Sequence, residues 1–255
     1  FVSPIDVFSE AEALRLRVEL EAAEAKWPEA FQGAARNNAH LNLMCLDGIV
    51  HNPVLLDAIE DLIGPDILSY GTVLFIKEPK DPGFVSWHQD ARYMGLEPHI
   101  GITAWVALTE ANDENGCMQM IPGSHRQGLR EQITSDDPDN VLLQSQTIED
   151  VREEDAVLCA LAPGEASIHH GWTIHASYPN TSEDRRIGLN IQYVTPKMKQ
   201  IKAKSDSAML IRGEDRYGHF ETDKPAEEWL PHDAKERLIE TTRKYHGITG
   251  SPNPA

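Results

Sequence analysis

The run Trp87-His88-Gln89-Asp90 sets an imidazole and a carboxylate two residues apart, and both are side chains that bind divalent transition metals. In an extended segment alternate side chains share a face. His88 and Asp90 are therefore expected to reach one ion together, with a second histidine from a later strand completing a set of two histidines and one carboxylate. Such a set covers one side of a metal and leaves the opposite positions open to substrate and oxygen, the arrangement that non-heme Fe(II) oxygenases use. The pair alone is weakly specific, because the chain holds 11 histidines and His219-x-Glu221 repeats the spacing. Nothing downstream of His219 supplies the remaining parts, so that copy reads as a partly exposed histidine.

The second histidine has three candidates in the run from His169 and His170 through Gly171, Trp172, Thr173 and Ile174 to His175. His175 is preferred as third ligand. His170 is alternatively a buried or ligand-supporting histidine, and Trp105 and Trp172 read as core. Arg185 and Arg186 follow, and on a strand they point to opposite faces. One of them can then face the site while the other faces away.

The elements that must carry these residues are legible in outline. Ser9 to Glu12 has the form of a capping box, with Leu14, Val18 and Ala22 recurring on one helical face and Pro28 as a stop. A second helix has Asn52 as cap, Pro53 in its first turn, a buried stripe of Val54, Leu55, Ala58, Ile59 and Leu62, and Gly64-Pro65 as terminator. Both are expected to pack on a sheet. Short β-type runs follow at 67–76, 100–109, 117–121, 156–161, 166–170, 173–177 and 187–194, with turn chemistry at 112–116. The stretch 126–154 is polar and irregular, and a connection of that length is either a lid over a site or mobile. Residues 226–245, with Trp229, Leu230, Leu238 and Ile239, are expected to end in a helix. Strands that follow helices without alternating with them predict a mainly β fold with flanking helices, an antiparallel jelly roll.

Composition bounds the reading. The 255 residues suffice for one sizeable core and are expected to form a single domain, 1–255, with its centre at roughly 65–195. Lys and Arg number 23 against 41 Asp and Glu, and the net charge of −18 argues against a nucleic-acid partner. No apolar run is long enough to span a bilayer, so no membrane partner is expected. Three cysteines without close spacing suggest neither a disulfide framework nor a zinc ribbon and fit a cytoplasmic location. The sequence begins at Phe1 rather than a methionine, so either a few preceding residues or a processed segment is expected to be missing. Oligomeric state is not readable from the sequence.

Taken in order, Trp87-His88-Gln89-Asp90, Asn115-Gly116-Cys117-Met118, Ile121-Pro122-Gly123-Ser124-His125, His175-x-Ser177-x-Pro179-Asn180 and Arg186 resemble the phytanoyl-CoA dioxygenase family of Fe(II)- and 2-oxoglutarate-dependent oxygenases. The resemblance covers roughly residues 65–195. It implies the double-stranded β-helix, the cupin-like form of the jelly roll, and it implies Fe(II), 2-oxoglutarate as cosubstrate, and O2. Its metal ligands fall on His88, Asp90 and His175, its carboxylate-gripping arginine on Arg186, and its assisting hydroxyl on Ser177. Thr103 and Lys77 lie on strands that could also face the cosubstrate. Arg92, Tyr93 and Met94, together with Arg212 and Arg216, are candidate substrate contacts. The implied activity is hydroxylation of a small polar molecule with release of succinate and CO2. Epimerisation, desaturation or ring closure by the same cofactors remain open, as does a non-catalytic jelly roll. Halogenation is disfavoured, since it needs the carboxylate ligand to be absent and Asp90 is present.

Overall fold

The computed structural model describes residues 1–142 and 145–228, with 236, 237 and 240. The expected C-terminal helix at 226–245 lies largely outside the described residues. Among these residues the chain runs β1 (Val2–Asp6), α1 (Glu10–Lys26), α2 (Met44–Val50), α3 (Pro53–Ile63), β2 (Ile67–Lys77), β3 (Val85–His88) and the helical turn α4 (Ala91–Met94). Then come β4 (Ile102–Ala107), β5 (Met118–Met120), β6 (Val157–Cys159), β7 (Glu165–His170), β8 (His175–Ser177), β9 (Arg186–Val194), β10 (Ser207–Arg212) and β11 (Glu221–Thr222). Two further pairs of two-residue strands brace the connections.

The strands form a seven-stranded sheet in the order β1-β7-β4-β9-β2-β10-β11 and a four-stranded sheet in the order β3-β8-β5-β6. All pairings are antiparallel except β10 with β11. This is the expected double-sheet jelly roll, with β1, β10 and β11 as strands that the sequence reading did not place.

The period of two along the larger sheet separates core from chemistry. Thr72, Leu74 and Ile76 of β2, Ala104 and Val106 of β4, Ala166 and Ile168 of β7, and Ile187, Leu189 and Ile191 of β9 alternate onto one face. The apolar members of this set form the main core with Leu16, Leu20, Leu46, Leu55 and Ile59 of the helices. The opposite face carries Lys77, Phe75 and Val73, then Trp105 and Thr103, then Ser167 and His169, then Arg186, Gly188, Asn190 and Gln192. That face looks into the jelly roll.

Both helix starts are as expected. Ser9 Oγ accepts the Glu12 N–H while Glu12 Oε2 accepts the Ser9 N–H, and Asn52 Oδ1 accepts from Val54 and Leu55 N–H at 2.9 and 3.2 Å. The faces differ. On α1 the buried residues are Ala13, Leu16, Leu20 and Ala23, and Leu14 and Val18 are 60% and 57% exposed. Ion pairs from Arg17 to Asp184 and from Glu24 to Arg185 tie the helix to the loop before β9, and with them the helix is turned away from the expected stripe. On α3 the buried set is Leu55, Leu56 and Ile59, with Val54 and Leu62 turned outward.

The connection 126–154 is fastened at its described residues. Gln89 donates to the Gly128 carbonyl and accepts from the Arg130 N–H. Ser86 donates to the Gln146 carbonyl, and the Ile148 N–H donates to the Trp87 carbonyl at 2.7 Å.

Candidate metal and cosubstrate site

β3 and β8 are neighbours in the smaller sheet, and His88 and His175 are direct register partners. Their rings lie 4.1 Å apart. Each histidine donates its Nδ1–H to a backbone carbonyl, His88 to Ser86 at 2.8 Å and His175 to Thr173 at 3.0 Å. The tautomer is thereby set, and both Nε2 lone pairs turn toward Asp90. Asp90 Oδ1 is 3.5 Å from His88 Nε2 and 3.6 Å from His175 Nε2. One ligand atom from each of the three lies within 4.8 Å of the others, so a single ion can be held by all three.

The expected extended His-x-Asp pair is corrected in one respect. β3 ends at His88, and Asp90 is helical (φ −55°, ψ −41°) at the head of α4. The chain leaves the strand because Gln89, fully buried, spends its carboxamide on Gly128, Arg130 and Trp172, and because the Ala91 N–H donates to the Gly171 carbonyl. Asp90 still arrives at the ion position from this turn.

Asp90 is oriented by its second oxygen. Oδ2 accepts the Thr103 hydroxyl at 2.7 Å and the His169 Nε2–H at 3.2 Å, and Thr103 and His169 are themselves cross-strand partners between β4 and β7. Thr103 and His169 therefore both hold the Asp90 carboxylate, and among the described residues the cluster with ligand atoms within reach of one ion takes in His175 rather than His169. Burial works against the Asp90 charge, yet the surrounding imidazoles of His175, His169 and His88 hold its pKa well below the carboxylate range. Burial, followed by the neighbouring His88, holds His175 well below the imidazole range, which keeps it the neutral base a metal needs.

A second centre lies on β2 and β9. Arg186 and Lys77 are register partners and are 2% and 4% exposed. Arg186 Nη1 donates to the Gly116 carbonyl at 2.7 Å, and its guanidinium lies 5.1 Å from the centre of the Trp105 ring. Gly116 has φ +74°, and a Cβ there would stand 2.1 Å from the Tyr178 carbonyl, so only glycine allows this approach. Lys77 Nζ donates to Ser177 Oγ at 3.0 Å and to the Tyr178 carbonyl. Asn180 closes the loop behind them, donating to the Lys77, Glu78 and Asp184 carbonyls. Burial, then repulsion from Arg186, depresses Lys77 to about 7, and burial lowers Arg186 to about 10.

Neither cation has a carboxylate partner among the described residues, and Arg186 Nε is buried without any hydrogen bond. Two buried cations without an anion are costly, and a dicarboxylate bound here would neutralise them. The donor set and the orphaned guanidinium nitrogen thus fit a divalent iron and a 2-oxo dicarboxylic acid. Arg185, on the opposite face, pairs with Glu24 and Glu78 outside the barrel.

His88, Asp90, Lys77 and Tyr93 border one cavity of about 400 Å³. A hollow of about 480 Å³ against α1 and α2 contains none of the site residues. Of the five suggested substrate contacts only Tyr93 borders the cavity, with its hydroxyl on Gln132 at 3.2 Å. Arg92 is exposed. Met94 is core, packed with Leu68, Leu96 and Val194. Arg212 pairs with Asp57 and Glu60 on α3, and Arg216 with Glu214 at the surface. The sequence reading missed Asn37, Asn190 and Gln192, which also border the cavity. The alternation Arg186-x-Gly188-x-Asn190-x-Gln192 was the available signal for two of them; Asn37 comes from an irregular segment that bridges to Val73.

Comparison with known proteins gives the family. The profile of the phytanoyl-CoA dioxygenase (PhyH) family matches residues 2–188. The chain belongs to this family of Fe(II)/2-oxoglutarate-dependent oxygenases. It is 33% identical over 145 residues to phytanoyl-CoA dioxygenase domain-containing protein 1 of Danio rerio, a match covering 54% of this chain and 48% of that protein. The match thus spans about half the length of that curated relative. The solved structure of the non-heme monooxygenase ThoJ in its apo form is 31% identical, with a TM-score of 0.86 over 98% of this chain and 94% of that one. CytC3, solved with Fe(II) and alpha-ketoglutarate, is 25% identical, with a TM-score of 0.63 over 91% and 92% of the two chains.

Proposed function

We propose that this PhyH-family chain is a dioxygenase that hydroxylates an unactivated C–H bond of a small polar metabolite, with release of succinate and CO2. The observation that carries the reading is the buried Arg186, without a carboxylate partner among the described residues and paired in register with Lys77, which bonds Ser177, two residues from His175 of the His88, Asp90 and His175 cluster. Bound Fe(II) with 2-oxoglutarate would supply the oxidising power, by coupling loss of CO2 to activation of O2. The protein's own residues do the positioning. His88 and His175 offer Nε2, Asp90 offers Oδ1, and three ligands leave positions free. Arg186 suits the far carboxylate because a planar guanidinium makes a bidentate, charge-assisted pair. Lys77 and Ser177 stand beside it. Phe75 and Val73 form apolar wall above the site, which limits water.

The cavity of about 400 Å³ lies near the lower end for small-molecule sites and must hold cosubstrate as well as substrate. That size supports a small metabolite rather than an acyl-CoA. The three free, buried cysteines support a cytoplasmic setting, and we read the chain as one domain. No described helix is long and apolar enough to cross a membrane.

The test is anaerobic addition of Fe(II) and then 2-oxoglutarate to metal-free protein. A visible charge-transfer band that disappears in His175→Ala and Asp90→Ala is expected. Its absence in folded, iron-loaded protein would sink the reading. Succinate release with candidate substrates, followed by product analysis, distinguishes hydroxylation from epimerisation, desaturation or ring closure.

A further inference from the structure

Three carboxamides, those of Asn37, Asn190 and Gln192, border the cavity, and none makes a side-chain hydrogen bond with any described residue. Asn190 is the sharpest case. It is 6% exposed, and its Oδ1 is buried with no partner. It projects from β9 on the same face as Arg186, four positions further on, a separation of roughly 13 Å along a strand. Gln192 continues that face, opposite Thr103 on β4. Asn37 reaches it from outside the sheet by bridging to Val73, the register partner of Asn190.

An unpaired buried amide is costly, and one left unpaired in a binding cavity marks the place of a ligand group. Each carboxamide offers two N–H donors and one acceptor oxygen and carries no charge. The cations of the cavity lie elsewhere or are engaged. Lys77 and Arg186 stand at the other end of the strands. The Arg36 guanidinium is held by the Phe31 and Ile76 carbonyls, three positions along β2 from Val73, the register partner of Asn190. Among the described residues the charged groups of the cavity, Arg36, Lys77, Asp81 and Asp90, thus lie away from the amides, so a charged group at the amide wall would meet dipoles rather than a counter-ion, whereas hydroxyl or amide groups would find matching donors and acceptors.

We propose that Asn37, Asn190 and Gln192 form the substrate-reading wall of the site, and that the substrate presents uncharged hydroxyl or amide groups to it. The proposal deepens the oxygenase reading and rests on it for the name of the ligand as substrate. Asn190, central and most buried, carries most of the discrimination.

The test uses the full chain loaded with Zn(II) in place of Fe(II), so that no turnover occurs, and with 2-oxoglutarate. Side-chain NH2 signals of Asn190 and Gln192, assigned through Asn190→Ala and Gln192→Leu, are followed by heteronuclear NMR. The titrants are acetamide and methyl β-D-glucopyranoside, and their charged counterparts acetate and glucuronate. Both signals are expected to shift saturably with the neutral probes. The charged counterparts, and the neutral probes on Asn190→Ala, should bind at least about tenfold more weakly. Stationary signals, equal binding of charged and neutral probes, or unchanged affinity in Asn190→Ala would overturn the proposal. If Asn190→Ala loses its far-UV spectrum, Gln192→Leu carries the same comparison. Affinity for 2-oxoglutarate is measured on the same samples. Its absence with a responding amide wall defeats the proposed function alone, and stationary amides in a protein that binds 2-oxoglutarate defeat this inference alone.

Discussion

Lys77 shows how a single buried group ties the site to pH. In the fold its pKa is depressed from 10.5 to about 7, first by burial and then by Arg186. Between those values the unfolded chain holds a proton that the folded chain has shed, so this group makes stability rise with pH across the window. Below about 7 the burial penalty is present in full. A bound dicarboxylate reverses the balance, because an anion beside Lys77 favours its charged form and raises its pKa. Binding of 2-oxoglutarate should therefore take up a proton, with affinity full below about 7 and falling as pH climbs above it. Calorimetric titration of Zn(II)-loaded protein at about pH 8, in two buffers of different ionisation heat, measures that proton directly. No uptake, or the same uptake in Lys77→Met, would remove Lys77 from the cosubstrate site.

At the scale of elements, strand β9 is the member on which both halves of the cavity depend, and Gly188 is its critical position. A Cβ at Gly188 would fall 1.9 Å from the Trp105 ring, so the indole lies where a side chain would be. Trp105 in turn lies under Arg186. Gly188→Ala should therefore cost about 1–3 kcal/mol by overpacking and should weaken 2-oxoglutarate binding as Trp105 and Arg186 shift. Asn52→Ala, which uncaps α3 on the far face of the sheet, should cost about 1 kcal/mol and leave that affinity alone. Urea unfolding and cosubstrate titration of both variants make the comparison; equal effects on binding would refute the dependence. The run 187–194 made this strand legible in the sequence, and Arg185 beside Arg186 marked its two faces at one end, but the inward Asn190 and Gln192 were not read from it. The helix faces were less legible. α1 carries apolar residues on two sides, and the side that is buried is accompanied by the ion pairs of Arg17 and Glu24 with residues more than a hundred positions away. Nothing local encodes that. The placement of Arg212 off the cavity was illegible for a similar reason, since its partners Asp57 and Glu60 belong to a distant helix.

Across the whole molecule, the metal triad was readable because its residue types and order are chemically rare together, whereas the groups that orient it come from everywhere. Thr103 and His169 reach Asp90 from two other strands, and Gln89, between the two ligands in sequence, turns away to grip the connection 126–154. That grip couples the site to its covering segment. Gln89 bonds Gly128, Arg130 and Trp172, and the same segment brings Gln132 to the Tyr93 hydroxyl and Val141 to the cavity. Gln89→Leu keeps the bulk but strands these backbone groups, each at a cost of about 1–3 kcal/mol. The part next to Gln89, residues 126–134, otherwise has the Tyr93–Gln132 and Arg130–Glu149 contacts and a two-residue strand, whereas Asp139, Asn140 and Val141 are fastened to Phe84 and Ser86. Amide hydrogen exchange should therefore rise by tenfold or more in 126–134, on the order implied by that cost, while β2 and β9 keep their protection. Uniform loss of protection would mean that Gln89 supports the whole fold, and unchanged exchange would mean that the segment is held by its other contacts, Ser86 to Gln146 and Ile148 to Trp87.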